Sequence, residues 1–446
     1  LKEADVVVVG GSAAGTVAGI TVKRHYRDAS ALVIRREDKA MYATAIPYIF
    51  GTIGTPDNNI IPDSLLADSG VELMIDEAAS VDRVSRTVTT KGGEVVGYER
   101  LILAVGSTPV HPPVPGTELH NVFPLWKESG LLERAQHVLG RAKDIVIIGG
   151  DVVGTELADE CKKMGDVNVT IVETLPHCLA LALDEEFCRL AEDRLEQRGV
   201  KVITGDGVRA IVGNGGVNGV ELQNGGRLSA DVVIVESRGA PNTDLAKDMD
   251  IKIGGARGVW VDEYMRTSDP TVFACGDCAE KFSFFTGEPS TLRSASIATY
   301  EARIAGANVF DLKRKNRGVV GVLAIAFGDF AVAQAGLTEK MAREVGFDVA
   351  LGEASALDRY PDSMPGAKEV KTKLIFDGRT RKILGGQLCG GVAIAEMANI
   401  LAAMIQNEMT ADEVATFQMG THPCLTASPM SYQIVNAAEQ ALTSMQ

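Results

Sequence analysis

The chain opens on an unbroken run of β-branched residues, Val6 to Val9, with no polar alternation. Such a run marks a strand buried on both faces, as in a parallel sheet flanked by helices. A glycine turn follows it, then a helical pattern from Ala13 to about Arg24, then a second apolar strand, Ala31 to Ile34. The same order returns later: strand Asp144 to Ile148, helix Val153 to Met164, strand Asn168 to Val172, ending at Glu173. This is one duplicated βαβ unit, and its period is too long for a solenoid. Leu101 to Ser107 and Val232 to Val235 read as further buried strands, and Gly213-Asn214-Gly215-Gly216 as a hairpin turn. Proline-rich Pro109 to Gly116 reads as a linker. A helix is expected over Ala295 to Val309. After the basic Lys313-Arg314-Lys315 come strands Lys373 to Phe376 and Ile383 to Leu388, then a helix over Val392 to Ile405.

The expected fold class is therefore α/β, with two Rossmann-like nucleotide-binding domains plus a C-terminal α+β domain. The boundaries fall at 1–116, 117–241, 242–320 and 321–446, the first and third stretches forming one domain. A length of 446 residues suits about three domains. The 46% hydrophobic and 23% charged content is that of a soluble globular protein. A net charge of -15 argues against nucleic acid or an anionic membrane face as partner. No apolar run reaches the ~20 residues of a membrane helix. The chain begins at Leu1, without an initiator Met, and enters a strand with no visible signal peptide. Its seven cysteines lack a framework pattern, which points to a reducing cytoplasm. No metal site is expected.

The first turn reads Gly10-Gly11-Ser12-Ala13-Ala14-Gly15. Gly10 permits the sharp strand-to-helix turn and Gly15 lets helix and strand approach. The helix N-terminus then offers amides and a positive dipole end to a pyrophosphate. The second strand should end on an acid for an adenosine ribose, yet Ile34 is followed by Arg35-Arg36-Glu37. Glu37 acting from a shifted position, or the arginines meeting a phosphate, are the two open readings. The second turn reads Gly149-Gly150-Asp151-Val152-Val153-Gly154. Asp151 stands where a glycine normally admits the pyrophosphate. A carboxylate there opposes a dianion by about 1–3 kcal/mol in a partly screened site. Glu173, at the strand end, suits the ribose hydroxyls of NADH and disfavours the 2′-phosphate of NADPH. Thr267-Ser268-Asp269-Pro270 then leads into Ala274-Cys275-Gly276-Asp277.

These motifs, with Ala45-Ile46-Pro47-Tyr48, Ala104-Val105-Gly106-Ser107 and Thr421-His422-Pro423, resemble the FAD-dependent pyridine nucleotide-disulfide oxidoreductases. The resemblance spans nearly the whole chain. It is strongest to the branch of CoA-disulfide reductases, NADH oxidases, NADH peroxidases and persulfide reductases. It implies FAD on the first turn, held also by Pro47, Ala104, Gly106, Gly276 and Asp277, and NADH on the second, weakened by Asp151. It further implies that Glu156 orients the nicotinamide and that the C-terminal domain forms a homodimer. His422 would then approach the partner's flavin.

That branch usually carries a redox cysteine just before its Pro-Tyr, and this chain has Thr44 there. A hydroxyl supplies no thiolate and has no two-electron redox cycle. The resulting expectation is an NADH oxidoreductase that passes electrons from FAD directly to a small acceptor such as O₂, a quinone or a dye. Thr44, Glu156 and His422 are its reactive-site candidates. One alternative is a CoA-disulfide, polysulfide or persulfide reductase, the reading if residue 44 is cysteine in the natural protein or if Cys424 substitutes; another is a non-catalytic or electron-transferring flavoprotein subunit. Cys275 and Cys278 form a Cys-x-x-Cys, but it coincides with the flavin loop and reads as packing. Met364 falls where the resemblance places a CoA-side tyrosine. Lys23 and Arg24 read as solvated helix residues.

Overall fold

A computed structural model describes residues 2–110 and 113–445. The N-terminal strand Lys2–Val9 lies between Ala31–Arg35 and Val95–Leu103, parallel to both. Glu72–Ile75 extends this sheet on one side, and the antiparallel strands Thr87–Thr90 and Ala78–Asp82 on the other. Val272–Ala274 returns to pair in parallel with Val95–Leu103. Strands Val6–Val9 and Leu101–Leu103 are buried in one core with the paired helices Ala13–His25 and Ala295–Asn308 and with apolar residues between Ala246 and Met265.

The second sheet is wholly parallel, in the order Val122–Pro124, Val232–Val235, Asp144–Ile148, Asn168–Val172, Val200–Ile203. Helices Val152–Lys162 and Glu185–Gln197 pack on it. An antiparallel three-stranded sheet, Val208–Asn214, Gly216–Leu222 and Arg227–Ser229, caps its other face. The C-terminal sheet is antiparallel, and helices Ile394–Gln406 and Gln433–Ser444 close its core.

Two expectations change. The strand from Leu101 stops at Leu103, and Ala104–Gly106 turns the chain into a separate strand, Ser107–Val110. That strand runs antiparallel to Arg238–Pro241. The start of the expected linker at Pro109 is thus paired sheet at the crossing between the first two domains; two residues of that stretch, 111 and 112, lie outside those described. The second helix begins at Val152 rather than Val153, because Asp151 caps it through the Val152 amide at 2.9 Å.

Candidate functional site

Both glycine turns leave an inner strand that runs parallel to both its neighbours, in the crevice at its carboxyl end, the usual ligand position in open α/β sheets. In the first, Gly10 has φ +106°, and a Cβ there would lie 2.1 Å from the Ala104 carbonyl oxygen. A Cβ on Gly15 would lie 1.7 Å from the Gly10 carbonyl oxygen. Ser12, the N-cap of helix Ala13–His25, makes no side-chain cap, so the first amides of that helix stay open. The Gly276 loop docks onto this helix end, where a Cβ on Gly276 would come within 2.8 Å of the Ala14 Cβ. Beside it the Ser107 hydroxyl donates to Asp277 Oδ2 at 2.8 Å, which holds the half-exposed carboxylate toward the crevice of Ala104 and Gly106.

Below that loop lies an ion pair the sequence reading missed. Lys281 and Glu301 are 1% and 0% exposed and 2.9 Å apart. Lys281 Nζ also donates to the Gly276 and Ala279 carbonyls, while Glu301 Oε2 accepts the Gly276 amide at 2.9 Å. Burial pushes the Glu301 carboxyl up to about 7, against the pull of Lys281. The pair clamps both sides of the Gly276 peptide unit, and so the position of Asp277.

Arg35 corrects an expectation. Its guanidinium is 1% exposed, ion-paired to Asp63 at 2.6 Å, and donates to the Glu37 and Asp38 carbonyls. A Cβ on Gly11 would strike its methylenes. Arg35 is a buried prop under the turn rather than a phosphate ligand. Glu37 is exposed, with its carboxylate on Arg36 at 2.8 Å.

The second turn has the same backbone with different chemistry. Gly149 has φ +112°, and a Cβ on Gly154 would lie 2.2 Å from the Gly149 carbonyl oxygen. Glu173 stands at the strand end as expected, yet its oxygens already accept from the Gly150 and Leu175 amides at 2.7 and 2.8 Å and from Thr174. Of roughly four acceptor positions on a carboxylate, about one is left for a ribose. Glu236, unforeseen in the sequence, accepts the Asp151 amide at 3.1 Å.

Glu156 is 8% exposed and accepts from the Tyr48 hydroxyl at 3.1 Å. Burial pushes its carboxyl up to about 7, and the Tyr48 hydrogen bond opposes the rise. Burial and Glu156 together raise the Tyr48 phenol further, so it stays neutral as the donor. Pro47, buried at the head of the 3-10 turn Pro47–Ile49, orients Tyr48 across the two nucleotide domains. Thr44 is exposed in the preceding turn, Ala43–Ala45. His422 is exposed as well, its Nδ1 accepting the Cys424 amide at 3.2 Å, and no hydrogen bond among the described residues joins it to Thr44. Six cysteines are buried and Cys424 is exposed. Burial holds the Cys275 and Cys278 thiols protonated, as packing residues.

Residues 4–302 match the pyridine nucleotide-disulphide oxidoreductase family, and residues 322–431 match its dimerisation domain. The chain is a pyridine nucleotide-disulphide oxidoreductase. It has the two Rossmann-type domains and C-terminal domain of that family, and is an FAD-dependent enzyme of NAD(P)H oxidation. A Methanocaldococcus jannaschii protein named NADH oxidase is 29% identical to the oxidoreductase, over 98% of this chain and 99% of its own. The structure of an NAD-dependent persulfide reductase from A. fulgidus superposes with a TM-score of 0.91 at 30% identity, over 98% of this chain and 83% of that one. A water-forming NADH oxidase from Lactobacillus brevis, bound to NADH, gives 0.89 at 25% identity, over 100% of this chain and 99% of that one. The first turn of the oxidoreductase fits FAD: the close approaches at Gly10, Gly11 and Gly15 leave no room for a Cβ, and the first amides of its helix carry no side-chain cap. The second fits a dinucleotide in its backbone, but three carboxylates, Asp151, Glu173 and Glu236, converge on it.

Proposed function

We propose that the chain is a cytoplasmic, homodimeric NADH oxidoreductase that delivers electrons from FAD to a small acceptor such as O₂, a quinone or a dye, without a cysteine relay. The observation that carries this reading is the exposed Thr44 hydroxyl in the turn ahead of Pro47, where the branch keeps its redox thiol. FAD, when bound, supplies the two-electron hydride chemistry. Gly10, Gly11, Ser12, Ala14 and Gly15 would hold its pyrophosphate, with Ala104, Gly106, Gly276 and Asp277 closing the cradle. Gly149 and Gly154 would admit NADH, Glu173 would meet its ribose, and Glu156, oriented by Tyr48, would fix the nicotinamide. A division into three domains, 1–116 with 242–320, 117–241, and 321–446, is supported by the strand pairing, in which Val272–Ala274 rejoins the first sheet. A dimer is supported by the match to the family's dimerisation domain. A reducing compartment is supported by the unpaired state of all seven cysteines.

The test is an anaerobic NADH titration followed through the flavin absorbance, with alkylation of Cys424 beforehand. Bleaching by one NADH per flavin, unchanged by alkylation, is expected. A flavin that stays oxidised sinks the proposal. A second reading, a persulfide or disulfide reductase acting through Cys424, is favoured by that thiol's exposure beside His422. Alkylation that abolishes acceptor turnover while leaving flavin bleaching intact selects it.

A further inference from the structure

The two glycine turns overlay position for position, and the comparison isolates one side chain. In the first, Val9 pairs with Leu103, and the next residue, Ala104, donates its amide to the Val9 carbonyl at 2.8 Å. In the second, Ile148 pairs with Val235, and Glu236 donates its amide to the Ile148 carbonyl at 2.9 Å. Ala104 and Glu236 therefore hold the same place under their turns. Alanine leaves the first turn clear. Glutamate fills the second: Cβ atoms on Gly149 and Gly154 would come within 2.7 and 2.9 Å of its Oε2, and that oxygen accepts the Asp151 amide at 3.1 Å.

We propose that Glu236 governs admission of the dinucleotide at the second turn, so that NAD(H) binds the form with a neutral Glu236 and takes up one proton in doing so. The inference rests on the proposed NADH site. The step is a proton transfer from solvent to a Glu236 carboxylate oxygen; no other bond changes. Among the described side chains, the titratable groups facing Glu236 are the Asp151 carboxylate at the helix cap, Glu173 at the end of the neighbouring strand and the Cys178 thiol beside Gly150. Enclosure and the Asp151 charge push its carboxyl up to about 8. A pyrophosphate brings further negative charge to the same helix end and raises it again. The bound state then holds the proton more tightly than the free state, so affinity is full below that value and falls as pH rises above it.

The test is calorimetric titration of the FAD-loaded protein with NAD⁺ from about pH 7 to about pH 10, in buffers of different ionisation enthalpy. In the wild type, Kd should rise roughly tenfold per pH unit above the midpoint, with uptake of up to one proton. Glu236→Gln should bind at every pH with the affinity of the low-pH wild type and no uptake. Should that variant fail to fold, proton uptake by the wild type decides alone. A wild-type Kd that is flat across this range, with no uptake, overturns the inference and leaves the proposed function standing. No NAD⁺ binding at any pH overturns both.

Discussion

Replacing Lys281 with Met tests the ion pair under the flavin loop. The change keeps the apolar length of the side chain and deletes three donated hydrogen bonds, to Gly276 O, Ala279 O and Glu301 Oε2. It leaves a fully buried carboxyl with one oxygen, Oε1, already lacking a partner. Removing one member of a buried pair costs about 3–5 kcal/mol. For a unit of about 200 residues that lowers the melting midpoint by roughly 6–20 °C. Adding Glu301→Gln should restore part of the loss, with a coupling of about 1–3 kcal/mol, because the orphaned charge disappears. The pH dependence carries its own sign. Glu301 holds its proton up to about 7 when folded and to 4.5 in its ordinary state. The folded form thus binds more protons between those values, so stability falls as pH rises across that window and is flat above it. Losing Lys281 extends the falling region upward. The assay is thermal release of FAD by flavin fluorescence, run for both single variants and the double. A Lys281→Met protein within about 0.5 kcal/mol of wild type, with full flavin content, refutes the clamp.

Three further outcomes are expected. Tyr48→Phe removes the hydrogen bond that lowers Glu156, so the pH profile of flavin reduction by NADH should move up by about one unit; an unmoved stopped-flow profile separates Glu156 from the reaction. Gly15→Ala places a Cβ 1.7 Å from a backbone oxygen and should cost more than about 2 kcal/mol, yielding protein without flavin absorbance; a yellow, stable variant contradicts the cradle. Thr44→Cys should add a thiol that forms a mixed disulfide with a disulfide substrate, a bond NADH electrons passed through FAD then cleave to two thiols, and so raise disulfide reduction at least about tenfold; no gain would mean that residue 44 does not face the flavin.

The parallel strands were legible because burial on both faces leaves an apolar run, as at Val6–Val9 and Val232–Val235. The turns were legible because the close approach at Gly10, Gly15, Gly149 and Gly154 tolerates no side chain. Pro109 misled because proline suits an edge strand as well as a linker, and its strand has one partner only. Arg35 misled because its partner, Asp63, is distant in sequence and carries no motif. Glu236 did have a signal: it directly follows a buried parallel strand, where crevice residues arise. Lys281 and Glu301 had none, since a buried ion pair looks like two surface charges until the helix Ala295–Asn308 is set against the loop.

The duplicated turn carries a consequence for how such sites diverge. Copying a βαβ unit reproduces the glycines, and so the room for a ligand, while the residues beneath differ: arginine and alanine under one copy, two glutamates under the other. Those positions lie at or just past the ends of neighbouring strands, outside the fingerprint. Changing a cofactor preference in this scaffold therefore means editing the floor of the cleft and leaving its glycine rim untouched.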